Sequence, residues 1–351
     1  MKKKLTALLL AAAVAFSTAA CGSGGADSGP ATADGTAPVT VTFYSPNSGN
    51  YASQALTVMA QNLTEKSGGK LVGNVIEAGT AGTQDEAAQM MMSGDLQVIV
   101  YTVDQMSNQI PGAGDWLSLP FLFDSDEQAV TDYENGWMLD QVKTAAAAGG
   151  IHVFDYVYSG FKCLSFTKDV HSFDDWQNLK VRVPNNPMFH ELCGAYGMQT
   201  VAGIDMYTSM QNGTVDSVLQ GEEGHQVFKL EEVMKELVLI HDTYGSNFYV
   251  CNEPWFQSLS AEQQKTLTGV ITEASAEYNQ MSKDAITQYV EETLPASGVE
   301  VVIPDETWKN AMKKAVIPVW EAAFSNENYN AELMERLRSE YFEVNFADVL
   351  S

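Results

Sequence analysis

Arginine is nearly missing from this chain. Its 351 residues hold 19 Lys and Arg against 45 Asp and Glu, a formal net charge of −26, and only Arg182, Arg336 and Arg338 are arginines. So little positive charge excludes nucleic acid as a partner, because nothing would replace the counterions around the phosphates. It also excludes a broad attraction to anionic lipid, so any membrane attachment would need a covalent lipid. Cysteine is scarce as well: Cys21, Cys163, Cys193 and Cys251, with no CxxC spacing. Setting Cys21 aside leaves an odd number, which excludes a disulfide scaffold and a zinc module. Cys163 and Cys251 both fall in strand-like runs, where they either pair or stay as buried free thiols. The histidines, at 152, 171, 190, 225 and 241, form no HxH or HExxH spacing. Surface or core roles are expected of them, not metal ligation. No nucleophile elbow, Gly-rich phosphate loop or metal pattern occurs. Neither an enzyme nor a cofactor is expected.

Three of the lysines open the chain. Lys2-Lys3-Lys4 precedes an apolar stretch from Leu5 to Phe16, too short to span a bilayer stably. Ser17-Thr18-Ala19-Ala20-Cys21-Gly22 follows. Small residues before a Cys resemble a bacterial lipoprotein signal, cleaved before Cys21 with a lipid on its sulfur. Thr18 stands where Leu is usual, and the alternative is an ordinary secretory signal cut near Ala20. Residues 1–20 read as the signal and 21–37 as a flexible Gly/Ser/Ala/Thr-rich tether. The expected address is the extracytoplasmic face of the cytoplasmic membrane, lipid-anchored, and periplasmic where an outer membrane exists.

From Val39 the pattern is mixed α/β. Strands are expected at Val39–Phe43, Leu71–Ile76 and Leu96–Tyr101, with helical stripes at Tyr51–Lys66 and Thr83–Ser93 between them. This β-α-β-α-β order implies a parallel sheet, with ligands off the carboxyl ends of its strands. That points to the loops at Ser45–Asn50 and Ala78–Gln84, and to Thr102. A second α/β unit follows. Its strands are expected at Ile151–Tyr158, Phe161–Phe166, Val215–Gln220 and Leu237–Thr243, and its helices at Asn186–Tyr196 and Asp205–Asn212. Ala261–Leu294 reads as one long helix, capped by Ser260 and Gln263 and stopped by Pro295, with Gly269 the point where it would break into two. So long a chain exceeds one comfortable core. Residues 38–155 are expected to form a first lobe and 156–245 a second. Residues 246–351 are expected to return to the first lobe with the long spanning helix and the C-terminal helices.

Arg182 sits in Leu179-Lys180-Val181-Arg182-Val183-Pro184, an alternating β-branched run. It is the only arginine before residue 336. A guanidinium meets a carboxylate through two parallel bonds, which an ammonium cannot do. Two readings stand here: a fixed anion-recognition point, or a structural ion pair with one of the many acids.

Five phrases resemble the solute receptors of TRAP transporters, the DctP-type family. They are the arginine strand itself; Tyr207-Thr208-Ser209-Met210-Gln211-Asn212-Gly213-Thr214-Val215-Asp216; Leu119-Pro120-Phe121-Leu122-Phe123; Gly160-Phe161-Lys162; and Trp255-Phe256-Gln257-Ser258-Leu259-Ser260. The resemblance runs from about Val39 to Trp320. It implies a two-lobed, periplasmic-binding-protein-like (Venus-flytrap) α/β fold with strands crossing between lobes and a long helix spanning both. It further implies capture of an organic acid and delivery to a membrane permease driven by an ion gradient. Arg182 matches the family's carboxylate-clamping arginine, and Lys162 a second cation, commonly Arg. Gln220 falls where the family has Asn, although Leu219 and Ser217 replace its usual Glu and Gly. Gly203 stands where a ligand-packing Phe is frequent. Gln84 and Thr102 occupy loop positions that meet the far end of the ligand. Asn47, Tyr207 and Asn247 complete the expected contacts, and Tyr44, Tyr156, Tyr158 and Phe248 are further candidates for apolar walls. Acidic surroundings suit hydroxyl donors, so a uronate or aldonate is expected rather than a four-carbon dicarboxylate. The runner-up reading is a receptor for an ATP-driven importer.

Overall fold

The computed structural model describes residues 37–350 apart from Ser246. The signal, most of the tether and Cys21 lie outside the described residues. The first half builds the expected parallel unit: β1 (Val39–Tyr44), α1 (Tyr51–Lys66), β2 (Leu71–Ile76), α2 (Gln84–Ser93) and β3 (Val98–Thr102). The caps act as the side chains dictate. Asn50 accepts from Ser53 N at 2.9 Å to start α1, and Thr83 and Glu86 close a capping box on α2. β1 lies parallel between β2 and β3, which directs the β1–α1 loop, the N-terminus of α2 and the end of β3 to one rim. The short helix α3 (Val103–Gln109), capped by Thr102, follows at once on that rim.

Two further strands complete this sheet from far along the chain. β4 (Ile151–Val157) and β10 (Asn247–Asn252) add to it in the order β2-β1-β3-β10-β4, with β10 antiparallel to both neighbours. The second sheet holds β5 (Lys162–Phe166), β6 (Lys180–Arg182), β7 (Gln199–Val201), β8 (Ser217–Gly221), β9 (Glu236–Val238) and β11 (Glu300–Val302), in the order β11-β9-β5-β8-β6-β7. Helices α4 (Pro187–Ala195), α5 (Met206–Gln211) and α6 (Glu222–Val227) connect its strands. Extended segments carry the chain between the sheets twice, after β4 and before β10, and the long helix that follows β10 carries it over a third time, to β11. The two crossings pair with each other: Phe161 bridges Tyr244, Lys162 N donates to Thr243 O at 2.8 Å and Gly245 N to Gly160 O at 2.9 Å. Free cysteines are buried at 163, 193 and 251, so Cys163 and Cys251 do not pair.

The long helix runs unbroken through Gly269. α7 (Ala261–Gln288) continues through a π turn at Tyr289–Thr293 and ends in Leu294–Ala296, roughly 50 Å in all. Its Leu267, Val270 and Ile271 pack with Ala55, Leu56 and Met59 of α1 under the first sheet. Tyr289 and Leu294 pack with Val218 and Leu237 under the second. One departure from expectation concerns the C-terminal stretch. It does not all return to the first lobe, because β11 pairs parallel with β9 and α8 (Glu306–Phe324) packs along α4. Without β11, β9 would be an open sheet edge with unpaired backbone groups.

Candidate functional site

A cleft of about 490 Å³ lies between the two sheets, floored by the crossing strands. Arg182 enters it from the end of β6, a three-residue strand held between β7 and β8. Its Nε is buried with no hydrogen-bond partner, and among the described residues no carboxylate reaches it at ion-pair distance. The structural ion-pair reading therefore fails. Burial works against its charge, and Asp205 works the other way. The Asp205 carboxylate is occupied elsewhere, accepting from Thr208 N at 2.8 Å as the cap of α5.

Lys162 opens β5 on the same floor and is 9% exposed. Its Nζ lies 4.6 Å from the Phe189 ring centroid, a cation–π contact that leaves its donors for another partner. Burial lowers its pKa, Asp104 and Asp242 raise it, and Arg182 lowers it further. The two cations thus feel each other, and an anion between them would relieve both. Beneath them Asp242 accepts from Tyr196 OH at 2.6 Å, and burial pushes its carboxyl up to about 6.

The opposite wall comes from the rim of the parallel sheet. Asn47 and Asn50 sit in the β1–α1 loop, Gln84 begins α2, Thr102 ends β3, and Asp104 and Gln105 lie in the first turn of α3. Thr102 Oγ1 donates to Gln84 Oε1 at 3.2 Å and accepts from Gln105 N at 3.3 Å. Gln105 Oε1 is buried without a partner. Asn247 enters opposite Thr102 in the β10–β3 register and also lines the cleft. On the second lobe Gln220, at the end of β8, is joined by Asn185, Asn186, Gly203 and Met206. Glu223 reaches across: its Oε1 accepts from Tyr51 N at 3.1 Å, tying α6 to the start of α1, and from Ser282 Oγ of the long helix at 3.4 Å. Burial raises its pKa.

Arg182, Lys162, Gln220, Asn47, Gln84, Thr102 and Asn247 therefore line one cleft. Tyr207 does not. Its hydroxyl donates to Glu232 at 2.8 Å on the outer surface, and Met206 faces the cleft instead, because one residue along a helix turns the side chain by about 100°. The expected aromatic walls are core residues: Tyr44 donates to Gly82 O and Tyr156 to Glu134, while Tyr158 and Phe248 are buried. Phe228 is the aromatic side chain on the lining. Sequence reasoning missed Asp104, Gln105, Asn50, Asn185, Asn186 and Glu223. The asparagines lie within or beside segments already singled out. Asp104 follows Thr102 by two residues and Glu223 follows Gln220 by three, offsets that single them out only once a helix is known to start there.

The sequence profile of bacterial extracellular solute-binding protein family 7, DctP, matches residues 44–327. The chain belongs to that family. This DctP-type solute receptor is 26% identical over 246 residues to the 2,3-diketo-L-gulonate-binding periplasmic protein YiaO of Escherichia coli K12, covering 68% of this chain and 73% of that one. Its fold matches a TRAP periplasmic solute-binding protein of Chromohalobacter salexigens crystallised with D-glucuronate: TM-score 0.78 at 20% identity, covering 86% and 99% of the two chains. It matches equally a Shewanella oneidensis receptor crystallised with succinate, TM-score 0.77 at 17% identity over 86% and 98%. The shared fold places this receptor's cleft but leaves the occupant to its own side chains. Among the described residues no helix is long and apolar enough to cross a membrane.

Proposed function

We propose that this receptor captures a hydroxylated organic acid, a uronate or aldonate, and delivers it to the membrane permease of a TRAP-type transporter. One observation carries the reading: the half-buried Arg182, whose buried Nε has no partner among the described residues, shares the cleft with Lys162. A cation partly withdrawn from water and left unpaired is unfavourable, so it is matched to a ligand that brings the anion. Arg182 takes the carboxylate through its two-pronged edge, and Lys162 adds a second contact. The rest of the lining is amide-rich, with Asn47, Asn50, Asn185, Asn247, Gln84 and Gln220, and amides both donate to and accept from hydroxyls. Asp104 and Glu223 add acceptors that suit hydroxyl donors and oppose a second carboxylate at the far end. The volume is that of an ordinary small-molecule site.

Residues 38–155 and 156–245 are proposed as the cores of two lobes that close on the ligand about the paired crossings, with lobe closure strengthening the ion pair as water leaves. Cys21 is proposed as the lipidated residue that holds the receptor at the membrane. The test is calorimetry and thermal shift with D-glucuronate, D-galacturonate, D-gluconate and succinate. A bound ligand raises stability by about 2.7 kcal/mol at a hundredfold excess over Kd. A sugar acid is expected to stabilise strongly and succinate weakly; the reverse order overturns the hydroxylated-acid reading.

A further inference from the structure

Beside the paired crossings three different ligating atoms gather. Cys163 Sγ, a Glu222 carboxylate oxygen and a His241 ring nitrogen all lie within 4.8 Å of one another. The three come from three segments: Cys163 from the start of β5, Glu222 from the first residue of α6, and His241 from the crossing that leads to β10. His241 Nε2 stands 3.1 Å from Glu222 Oε1, and Cys163 Sγ stands 3.9 Å from the same oxygen. The backbone is shaped around the cluster. His241 takes a left-handed φ of 45°, uncommon for a residue with a side chain, and its ring stacks on Phe161 at 4.9 Å. Gly160 has a φ of +74°, and a Cβ there would run into Glu222 Oε2.

An ion pair between His241 and Glu222 accounts for two of the three groups and leaves Cys163, a core thiol that also lies 3.9 Å from Phe161 O, turned toward the same carboxylate. A metal accounts for all three. Zinc bonds to Cys, His and carboxylate at about 2.0–2.3 Å, which sets tetrahedral donors roughly 3.5 Å apart. The Cys163–Glu222 separation of 3.9 Å needs to shrink by a few tenths of an ångström, and the Cys163–His241 separation, within 4.8 Å, closes with a turn of the His241 ring. The fourth position would be a water on the His241 side, where that side chain is 43% exposed and an ion can enter. Each ligand is one residue from a group of the cleft or the layer beneath it: Lys162 beside Cys163, Glu223 beside Glu222, Asp242 beside His241.

We propose that Cys163, Glu222 and His241 form a site for a borderline-soft divalent cation of the zinc type, and that loading it pins both crossing strands and α6, the elements that present Lys162 and Glu223 to the cleft. Binding releases the thiol proton to solvent and forms a metal–thiolate bond, with no change of oxidation state.

Cobalt(II) serves as the probe, added without oxygen to the chelator-treated full chain. One equivalent is expected to give the near-ultraviolet thiolate-to-cobalt charge-transfer band. Cys163→Ser should abolish it, while Cys193→Ser and Cys251→Ser, which alter the other buried thiols, should keep it. His241→Ala changes a partly exposed side chain and should weaken cobalt binding at least about tenfold with the fold intact. Amide exchange at residues 160–163 and 222–227 should slow by about threefold or more on loading. Absence of the band at one equivalent, or its survival in Cys163→Ser, overturns the site. Unchanged exchange in a protein that shows the band overturns the pinning. Both readouts use metal alone, so they stand or fall separately from the choice of organic acid.

Discussion

The Tyr244 hydroxyl donates to Glu134 at 2.5 Å, joining the second crossing strand to a helix 110 residues earlier in the chain. Tyr156 OH donates to the same carboxylate at 2.6 Å and Lys283 Nζ at 3.0 Å, while Lys283 also lies 4.7 Å from the Tyr158 ring centroid. Glu134, 4% exposed, thus gathers β4, the return crossing and the long helix at the point where the lobes meet. Glu134→Gln keeps one acceptor but removes the charge that holds Lys283. We expect a loss of about 1–3 kcal/mol, read as a lower urea midpoint with an unchanged m-value. A shift under roughly 0.5 kcal/mol, the range of ordinary surface changes, would show that the hub carries no stability.

Arg182→Lys keeps the charge and loses the planar fork. Affinity for the organic acid should fall by about 2–4 kcal/mol, roughly 30- to 1,000-fold in Kd. Lys162→Met should lose less, since an ammonium on a flexible stem is a looser partner. Calorimetry on both variants checks the order. Binding by Arg182→Lys within about threefold of the parent, under 1 kcal/mol, would remove Arg182 from the clamp.

His225 introduces a pH dependence. It is fully buried, Nδ1 lies 3.0 Å from Gly221 O and Nε2 has no partner. Burial pushes its pKa down to about 4 from 6.5. Below about pH 6.5 the unfolded chain binds a proton that the native state refuses, so this residue's contribution falls as pH drops from 6.5 toward 4, by about 3 kcal/mol in full. Asp104 and Asp115, whose pKa values burial raises, act in the opposite sense, so the test compares variants. Urea unfolding of His225→Gln from pH 7 to pH 4 should have the shallower acid loss of stability. Parallel curves would mean that His225 titrates normally.

Cys21→Ser should move the receptor from the membrane fraction to the soluble fraction of cells that express the full chain. A variant that still sediments with membranes would rule out lipidation at Cys21.

The local code of this chain was legible. Asn50, Thr83 and Ser260 announce their helices because a short polar side chain can satisfy the free N–H groups of a first turn. Leu179 to Pro184 announces a strand because β-branched residues alternate there, and β6 occupies Lys180–Arg182. Asn47, Gln84 and Thr102 line the cleft because the parallel β-α-β order brings strand ends and following loops to one rim, whereas Arg182 and Gln220 reach it from the second sheet and Lys162 and Asn247 from the crossings. Tyr207 was misplaced for the reason that limits all such reading: α5 has six residues, too few for a hydrophobic period to say which of two neighbours faces inward.

By itself the sequence determined the α/β alternation, the caps, the family and the isolation of Arg182 in a strand. Each of these is written in neighbouring residues or in composition. Only the tertiary structure decided that β10 slots antiparallel between β3 and β4, that β11 closes the edge of β9, and that no acid among the described residues pairs with Arg182. It also decided that Glu223 bonds to the start of α1 and that Cys163, Glu222 and His241 converge beside the paired crossings. These relationships join segments far apart in the chain. Their energies come from desolvation and backbone pairing across the folded whole, and no period or spacing records them.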